Sequence, residues 1–575
     1  MLKLFRLIEP FRGAVAIVTV LALAQSVANL YLPRLMADIV DHGIVPGDTR
    51  KILQIGGLML LVAIVGTVCA VAGSYFSSKV ATGFGRVVRG RVFDRVAHFS
   101  VHQFDRFSTA SLITRTTNDT TQVQGVLLML LSMAITAPMM AIGGVALSLS
   151  QDARLARVLI AVIPILATVF VMIMWQAVPL YQQMQIQIDR LNLVLDEGLS
   201  GVRVIRAFDR GGHQSRRFDD ANQDVTATAI HVNRLIALLM PAMFFMMNLT
   251  SVLIIWFGAV RIDAGEMHVG AMMASLQYAI QILFAVFMVT AVFVMLPRAA
   301  ASAERINEVL DVSPDVNDPS QPQSAGSARG QVEFQNVSFQ YPGAEEPALS
   351  GVSFTARPGE VTAVIGGTGS GKSTLAGLIP RFYDVNEGKL LVDGVDVREM
   401  KQEDLRGRIG FVPQKAVLFS GTVASNIRFG RDAATDEELR HAAAVAQAAE
   451  FIDKMPDGYA AAVAQGGTNL SGGQKQRLAI ARALVRRCEI YVFDDSFSAL
   501  DFATDARLRA ALKADLAEAT VFIVSQRIGT VMNADRIVVL DEGRVAGIGT
   551  HGELLKSCEV YRQIAESQAS LEEVA

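Results

Sequence analysis

Six long apolar stretches, all before residue 300, set the first limit on what this chain can fold into. They run near 14–36, 55–77, 126–149, 156–178, 236–260 and 269–297, each nearly free of charge. A helix needs about 20 mostly apolar residues to cross a bilayer. Each stretch is long enough, so an all-α membrane domain of six helices is expected. The first stretch is too long for a cleaved signal, lacks a convincing small-residue cleavage site, and precedes five more. Ahead of it, residues 2–12 set Lys3, Arg6 and Arg12 among Leu and Phe, the pattern of an amphipathic elbow helix in the membrane interface. The net charge of −3 gives no basic footprint for nucleic acid. Cys69, Cys488 and Cys558 are too few and too far apart for a disulfide scaffold or a thiolate metal cluster.

The connections 78–124 and 179–235 are long, helical in pattern and rich in basic residues, among them Arg86, Arg89, Arg91, Arg203, Arg206, Arg210 and Arg217. The short turns carry acids such as Asp41, Asp152, Asp263 and Glu266. The positive-inside rule then places the long connections and both termini in the cytoplasm, in a multi-pass protein of the plasma (inner) membrane. Membrane domain and polar continuation take up residues 1–310. Residues 311–330, rich in Pro, Ser, Gln and Gly, read as a linker. From 331 to 575, β-type runs at 332–339, 361–365, 409–412, 490–493 and 520–524 alternate with helical stretches, an α/β domain with a largely parallel sheet.

The run 361–365 leads straight into Gly366-Gly367-Thr368-Gly369-Ser370-Gly371-Lys372-Ser373-Thr374 and a helix. This is G-x-x-x-x-G-K-[ST] in its strand–loop–helix setting. Glycines let backbone N–H groups wrap a phosphate, Lys372 reaches the β- and γ-phosphates, and the Ser373 hydroxyl ligates Mg²⁺. Downstream, Ile490-Tyr491-Val492-Phe493-Asp494 is an apolar strand ending in a carboxylate, the arrangement in which Asp494 holds Mg²⁺ from the second side. ATP with Mg²⁺ is the ligand expected of this domain.

Between these motifs lies Leu470-Ser471-Gly472-Gly473-Gln474, and here the chain resembles the ATP-binding cassette (ABC) transporters. The resemblance implies that Ser471, Gly472, Gly473 and Gln474 close over ATP held by the opposite cassette. It implies that Tyr341 stacks on adenine, that Gln414 contacts Mg²⁺ and water, and that Asp501 in Ser498-Ala499-Leu500-Asp501 belongs to the loop linking the two sites. Residues 103–112 with Thr117-Asn118-Asp119, and 197–208, resemble the coupling segments of the exporter branch, the second segment itself falling near 207–216. The implied fold is a type I exporter half, of which two are needed for one pore.

Two departures from the family pattern matter most. The catalytic base, a Glu after the strand-end Asp, is here Asp495, whose carboxylate is set back by one methylene. General bases contribute about 10²–10⁴ in rate, so a retracted base is costly. After strand 520–524 the family's Ala-His-Arg is Ser525-Gln526-Arg527, and Gln526 cannot carry the positive charge of His. Gln465 also replaces a usual Glu. With its phosphate loop and signature intact, the chain resembles the degenerate-site subunit of bacterial heterodimeric multidrug exporters. The partner half-transporter then supplies a proper Glu and His. The polar residues of the spans are mostly amides (Gln25, Asn29, Gln176, Asn248, Gln277, Gln281), and methionines are abundant. Both suit amphipathic or hydrophobic cargo such as drugs or lipids. The alternatives are an importer of a metal chelate on an exporter fold, a lipid flippase, and a non-transporting ATP-gated regulator.

Overall fold

The computed structural model describes residues 1–324 and 329–572. Part of the expected linker, 325–328, lies outside the described residues. The chain divides into two compact units, residues 1–97 with 110–312, and residues 98–109 with 313–575.

The first unit is helical. Its main helices are α1 (Arg12–Ile39), α2 (Thr49–Ala97), α3 (Thr120–Met133), α4 (Thr136–Gln151), α5 (Ala153–Ser200), α6 (Gly211–Ala237), α7 (Leu239–Asp263) and α8 (Val269–Asp311). Six helical stretches among the described residues are long and apolar enough to cross a membrane. Helices α2 and α5, of 49 and 48 residues, extend about 70 Å at 1.5 Å per residue, well past a hydrocarbon core of about 30 Å. Their outer faces keep Leu53, Leu60, Val71 and Val171 exposed, as a lipid-facing surface requires.

Prolines act unevenly. Pro33 and Pro164 sit inside unbroken helices, whereas the third and fifth apolar stretches break just before Pro138 and Pro241. A proline ring crowds the carbonyl four residues back, and the breaks fall within three to four residues before each proline. The expected elbow is one α-turn, Leu2–Phe5, followed by a 3-10 segment, Arg6–Phe11, that contains Pro10. Leu4 is buried, and Phe5 packs 6.4 Å from Phe84 of α2, so this segment docks on a helix as well as carrying its basic residues.

Close helix contacts rely on small residues. Gly143 and Gly144 of α4 sit against Leu30 and Ile282, and Gly258 of α7 against Met272. Close approach through small side chains is how helices associate where lipid is as apolar as leucine. At the start of α8, the Gly270 N–H donates to Asp41 Oδ1 at 2.7 Å. A Cβ on Gly270 would run into the Ala37 carbonyl and sit 2.5 Å from Asp41 Oδ2. Gly270→Ala should therefore push the first and sixth spans apart and cost about 2–3 kcal/mol, read as a lower melting temperature in detergent.

The break between α5 and α6 falls at 201–210 and holds a short helix, Val202–Ala207. The expected coupling segment near 207–216 covers the end of this break and the first turns of α6, which begins at Gly211. Gly201 caps the end of α5, and the left-handed Asp209 lies between the short helix and α6.

In the second unit a six-stranded sheet holds β3 (Val361–Gly366), β5 (Ile409–Val412), β6 (Ile490–Asp494), β7 (Thr520–Val524), β8 (Arg536–Asp541) and β9 (Arg544–Gly549) in the order β9-β8-β3-β7-β6-β5. All neighbours are parallel except the edge pair β8–β9. β3, β6 and β7 are almost wholly buried apolar runs, as strands covered on both faces must be. An antiparallel sheet, with β1 (Val332–Phe339) between β2 (Leu349–Ala356) and β4 (Glu387–Val392), shares an apolar core with one face of the large sheet. The helix Val101–Phe107 also belongs to this unit, although its sequence lies between two spans. Ser100 caps it, and Gln103 Nε2 donates to Ser313 O at 2.7 Å.

Candidate nucleotide site

Strand β3 ends at Gly366, and the loop that follows leads into helix α9 (Lys372–Leu378). Gly369 and Gly371 take φ of +83° and +93°, open to glycine at little cost. A Cβ on Gly371 would stand 2.5 Å from Ala348 O. Gly367 and Gly369 have no atom within 4 Å of a Cβ position, so the loop's inner face is clear. Lys372 Nζ donates to Gly367 O at 2.5 Å and Gly366 O at 3.0 Å, holding the ammonium over the loop. Burial lowers the Lys372 pKa, opposed by Asp495 and Asp494.

The Ser373 hydroxyl donates to Asp494 Oδ1 at 3.0 Å. Burial raises the Asp494 pKa; the Ser373 bond opposes this, Asp495 adds to it and Lys372 opposes it. Asp495 has a left-handed backbone, φ +45°, with its N–H on Val524 O at 2.9 Å. Gln414 Nε2 donates to Asp495 Oδ2 at 3.3 Å. Lys372, Ser373, Gln414, Asp494 and Asp495 thus form one cluster. Gln526 lies two residues past Val524, which pairs in parallel register with Asp494, and its side chain is exposed. Hydroxyl, carboxylate and amide oxygens are the donors that a hard cation such as Mg²⁺ takes, so the residues fit the ion.

Tyr341 is half-buried and edge-on to Phe339 and Tyr383, with its hydroxyl 2.9 Å from Thr374 Oγ1. Ser471 N-caps helix α10 (Gly472–Leu484) in a capping box: Ser471 Oγ accepts from Gln474 N at 3.3 Å, and Gln474 Oε1 accepts from Ser471 N at 2.9 Å. The hydroxyl proton stays free to point outward. These bonds lie within the signature's own turn and involve no residue of the Lys372 cluster. Asp501 Oδ1 accepts from Thr504 N at 2.9 Å, capping α11 (Phe502–Asp515). Sequence reasoning missed Gln476, whose Oε1 accepts from Ala499 N at 3.2 Å, and Arg527, which donates to Ser498 O at 3.1 Å. The helix face of Gln476 could have drawn notice, but its partner, 23 residues away, could not.

Residues 15–286 match the model of the ABC transporter transmembrane region, and residues 349–498 that of the ABC transporter. An uncharacterized ABC transporter ATP-binding protein of Mycobacterium tuberculosis is 44% identical over 98% of this chain and 97% of its own length. The chain belongs to the ABC transporter family. An ATP-dependent lipid A-core flippase of Chromobacterium violaceum is 31% identical over 95% of this chain and 94% of its own. A solved bacterial Atm1-family ABC exporter with ATP bound superposes with a TM-score of 0.80 at 26% identity, covering 98% of both chains. The chain is therefore an exporter half: a multi-pass membrane domain joined to an ATP-binding, ATP-hydrolysing cassette.

Proposed function

We propose that this chain is one subunit of a heterodimeric exporter of hydrophobic or amphipathic compounds, lipids foremost, and that its own site grips ATP but cleaves it slowly. The observation that carries the slow site is Asp495, one methylene short and already hydrogen-bonded by Gln414, beside an exposed, uncharged Gln526. The binding residues are intact. Backbone N–H groups of Gly367, Thr368, Gly369, Ser370 and Gly371 cradle the phosphates, with Lys372 as the fixed charge and Thr374 beside them. Tyr341, tied to Thr374, presents its ring to the base. Mg²⁺ held by Ser373 and Asp494, with Gln414 through water, would neutralise charge on the phosphates. Ser471, Gly472, Gly473 and Gln474 lend an outward hydroxyl and helix N-terminus to the partner's ATP, and Asp501 anchors the loop between the sites.

The cargo reading rests on neutral spans and on the flippase relative. Gln281 Nε2 donates to the Asn29 main-chain carbonyl at 3.2 Å, a polar tie between α8 and α1. The basic long connections support cytoplasmic termini. With the half-transporter that co-purifies with it, the chain in inverted vesicles should move a fluorescent phospholipid between leaflets only when ATP is added. ATP-driven uptake of a metal chelate with no lipid movement would sink this reading.

A further inference from the structure

We propose that Gln568, on the C-terminal helix α12 (Glu559–Glu572), is a positioning residue for the switch segment that carries Gln526. Its Nε2 donates to Gln526 O at 2.7 Å, and its Oε1 accepts from Ile528 N at 2.8 Å. One side-chain amide thus bridges the main chain on both sides of Arg527. Ile528 opens the four-residue helix Ile528–Val531, so its N–H has no partner within that helix. Only a carboxamide offers a donor and an acceptor side by side for this task.

Besides the internal bond from Arg527 N to Ser525 Oγ at 3.0 Å, two arginines tie the segment to its surroundings. Arg527 Nη2 donates to Ser498 O at 3.1 Å, and Arg509 Nη1 to Gly529 O at 2.9 Å. Helix α12 is itself anchored: Tyr561 is fully buried, its hydroxyl 2.7 Å from His551 Nδ1, and Ile564 packs on the same core. Gln568 lies seven residues past Tyr561, two turns along the same face. The apolar anchor therefore delivers the amide to the strand exit. The exposed Gln526 side chain takes its direction from the backbone that Gln568 holds. This inference rests on the switch segment serving the ATP site, and not on that site being slow.

The test uses the full-length chain carrying Asp495→Glu and Gln526→His, compared with the same protein bearing Gln568→Ala or Gln568→Glu. Gln568→Ala should lower kcat roughly 3- to 10-fold with the KM for ATP within about twofold, and should speed hydrogen exchange at 526–530. Gln568→Glu keeps the acceptor and loses the donor, so it should fall between. With Gln526→Ala in place of Gln526→His, Gln568→Ala should cost less than about twofold, because the group it positions is gone. Unchanged exchange and kcat, or a full loss that persists beside Gln526→Ala, would overturn the proposal. If the double replacement fails to speed turnover, the slow-site reading fails, while the exchange data and the ratio between Gln568 variants still decide this one.

Discussion

Asp494→Asn should give a protein that melts higher at neutral pH yet turns over ATP at least about a hundredfold more slowly. Asp494 ends a wholly buried strand, and burial, reinforced by Asp495, raises its pKa against the opposing Ser373 bond and Lys372. In the unfolded chain an Asp titrates near 4. The native state therefore holds this proton more tightly than the unfolded state does. As pH rises from about 4 through the raised native pKa, the unfolded chain loses the proton first and stability falls. Above that window the cost of the buried charge is present in full. Asn keeps an acceptor for the Ser373 hydroxyl and removes the charge, so about 1 kcal/mol should return at pH 7 and the slope across the window should flatten. The same change removes the carboxylate proposed to hold Mg²⁺. Thermal melts from pH 4 to 8, with turnover measured in parallel, check both halves. A variant that melts lower at pH 7 would show that the charge is better compensated than its burial implies.

Restoring the family's residues should raise turnover in two unequal steps. Asp495→Glu alone should give an increase of only about threefold, because Gln526 still offers no charge at the γ-phosphate. Adding Gln526→His should bring the gain to roughly a hundredfold. The Asp495 backbone is left-handed, a conformation that Asp tolerates better than Glu. A stability loss of a few tenths of a kcal/mol should accompany the first change, and a melting curve separates it from the rate. Full recovery from Asp495→Glu alone would show that the switch position matters little.

What could be read from the chain was local. Spans announced themselves through apolar length, and the phosphate loop through glycines and a lysine within nine residues. The strands 332–339, 409–412 and 520–524 appear where alternation and β-branched residues placed them. What escaped was set by contacts between distant residues or by backbone breaks. Hydropathy is blind to the breaks at 134–135 and 238, because apolar side chains continue through them. The turn ahead of α6 uses Asp209, while Gly211 and Gly212 open a long helix, a choice no local propensity announces. The helix Val101–Phe107 lies in sequence between two spans, and its capping residues bond Ser313 and Asp315, more than 200 residues on. Gln568 meets Gln526 across 42 residues, and no spacing rule connects them.

Steady-state ATP turnover of the unaltered chain, purified by itself in detergent and again in lipid, bears most directly on the division of labour proposed between this subunit and a partner. ATP should bind with normal affinity, and turnover should lie at least about tenfold below that of the chain carrying Asp495→Glu with Gln526→His. Equal turnover by the unaltered chain and the restored variant would show that this subunit needs no partner to hydrolyse ATP.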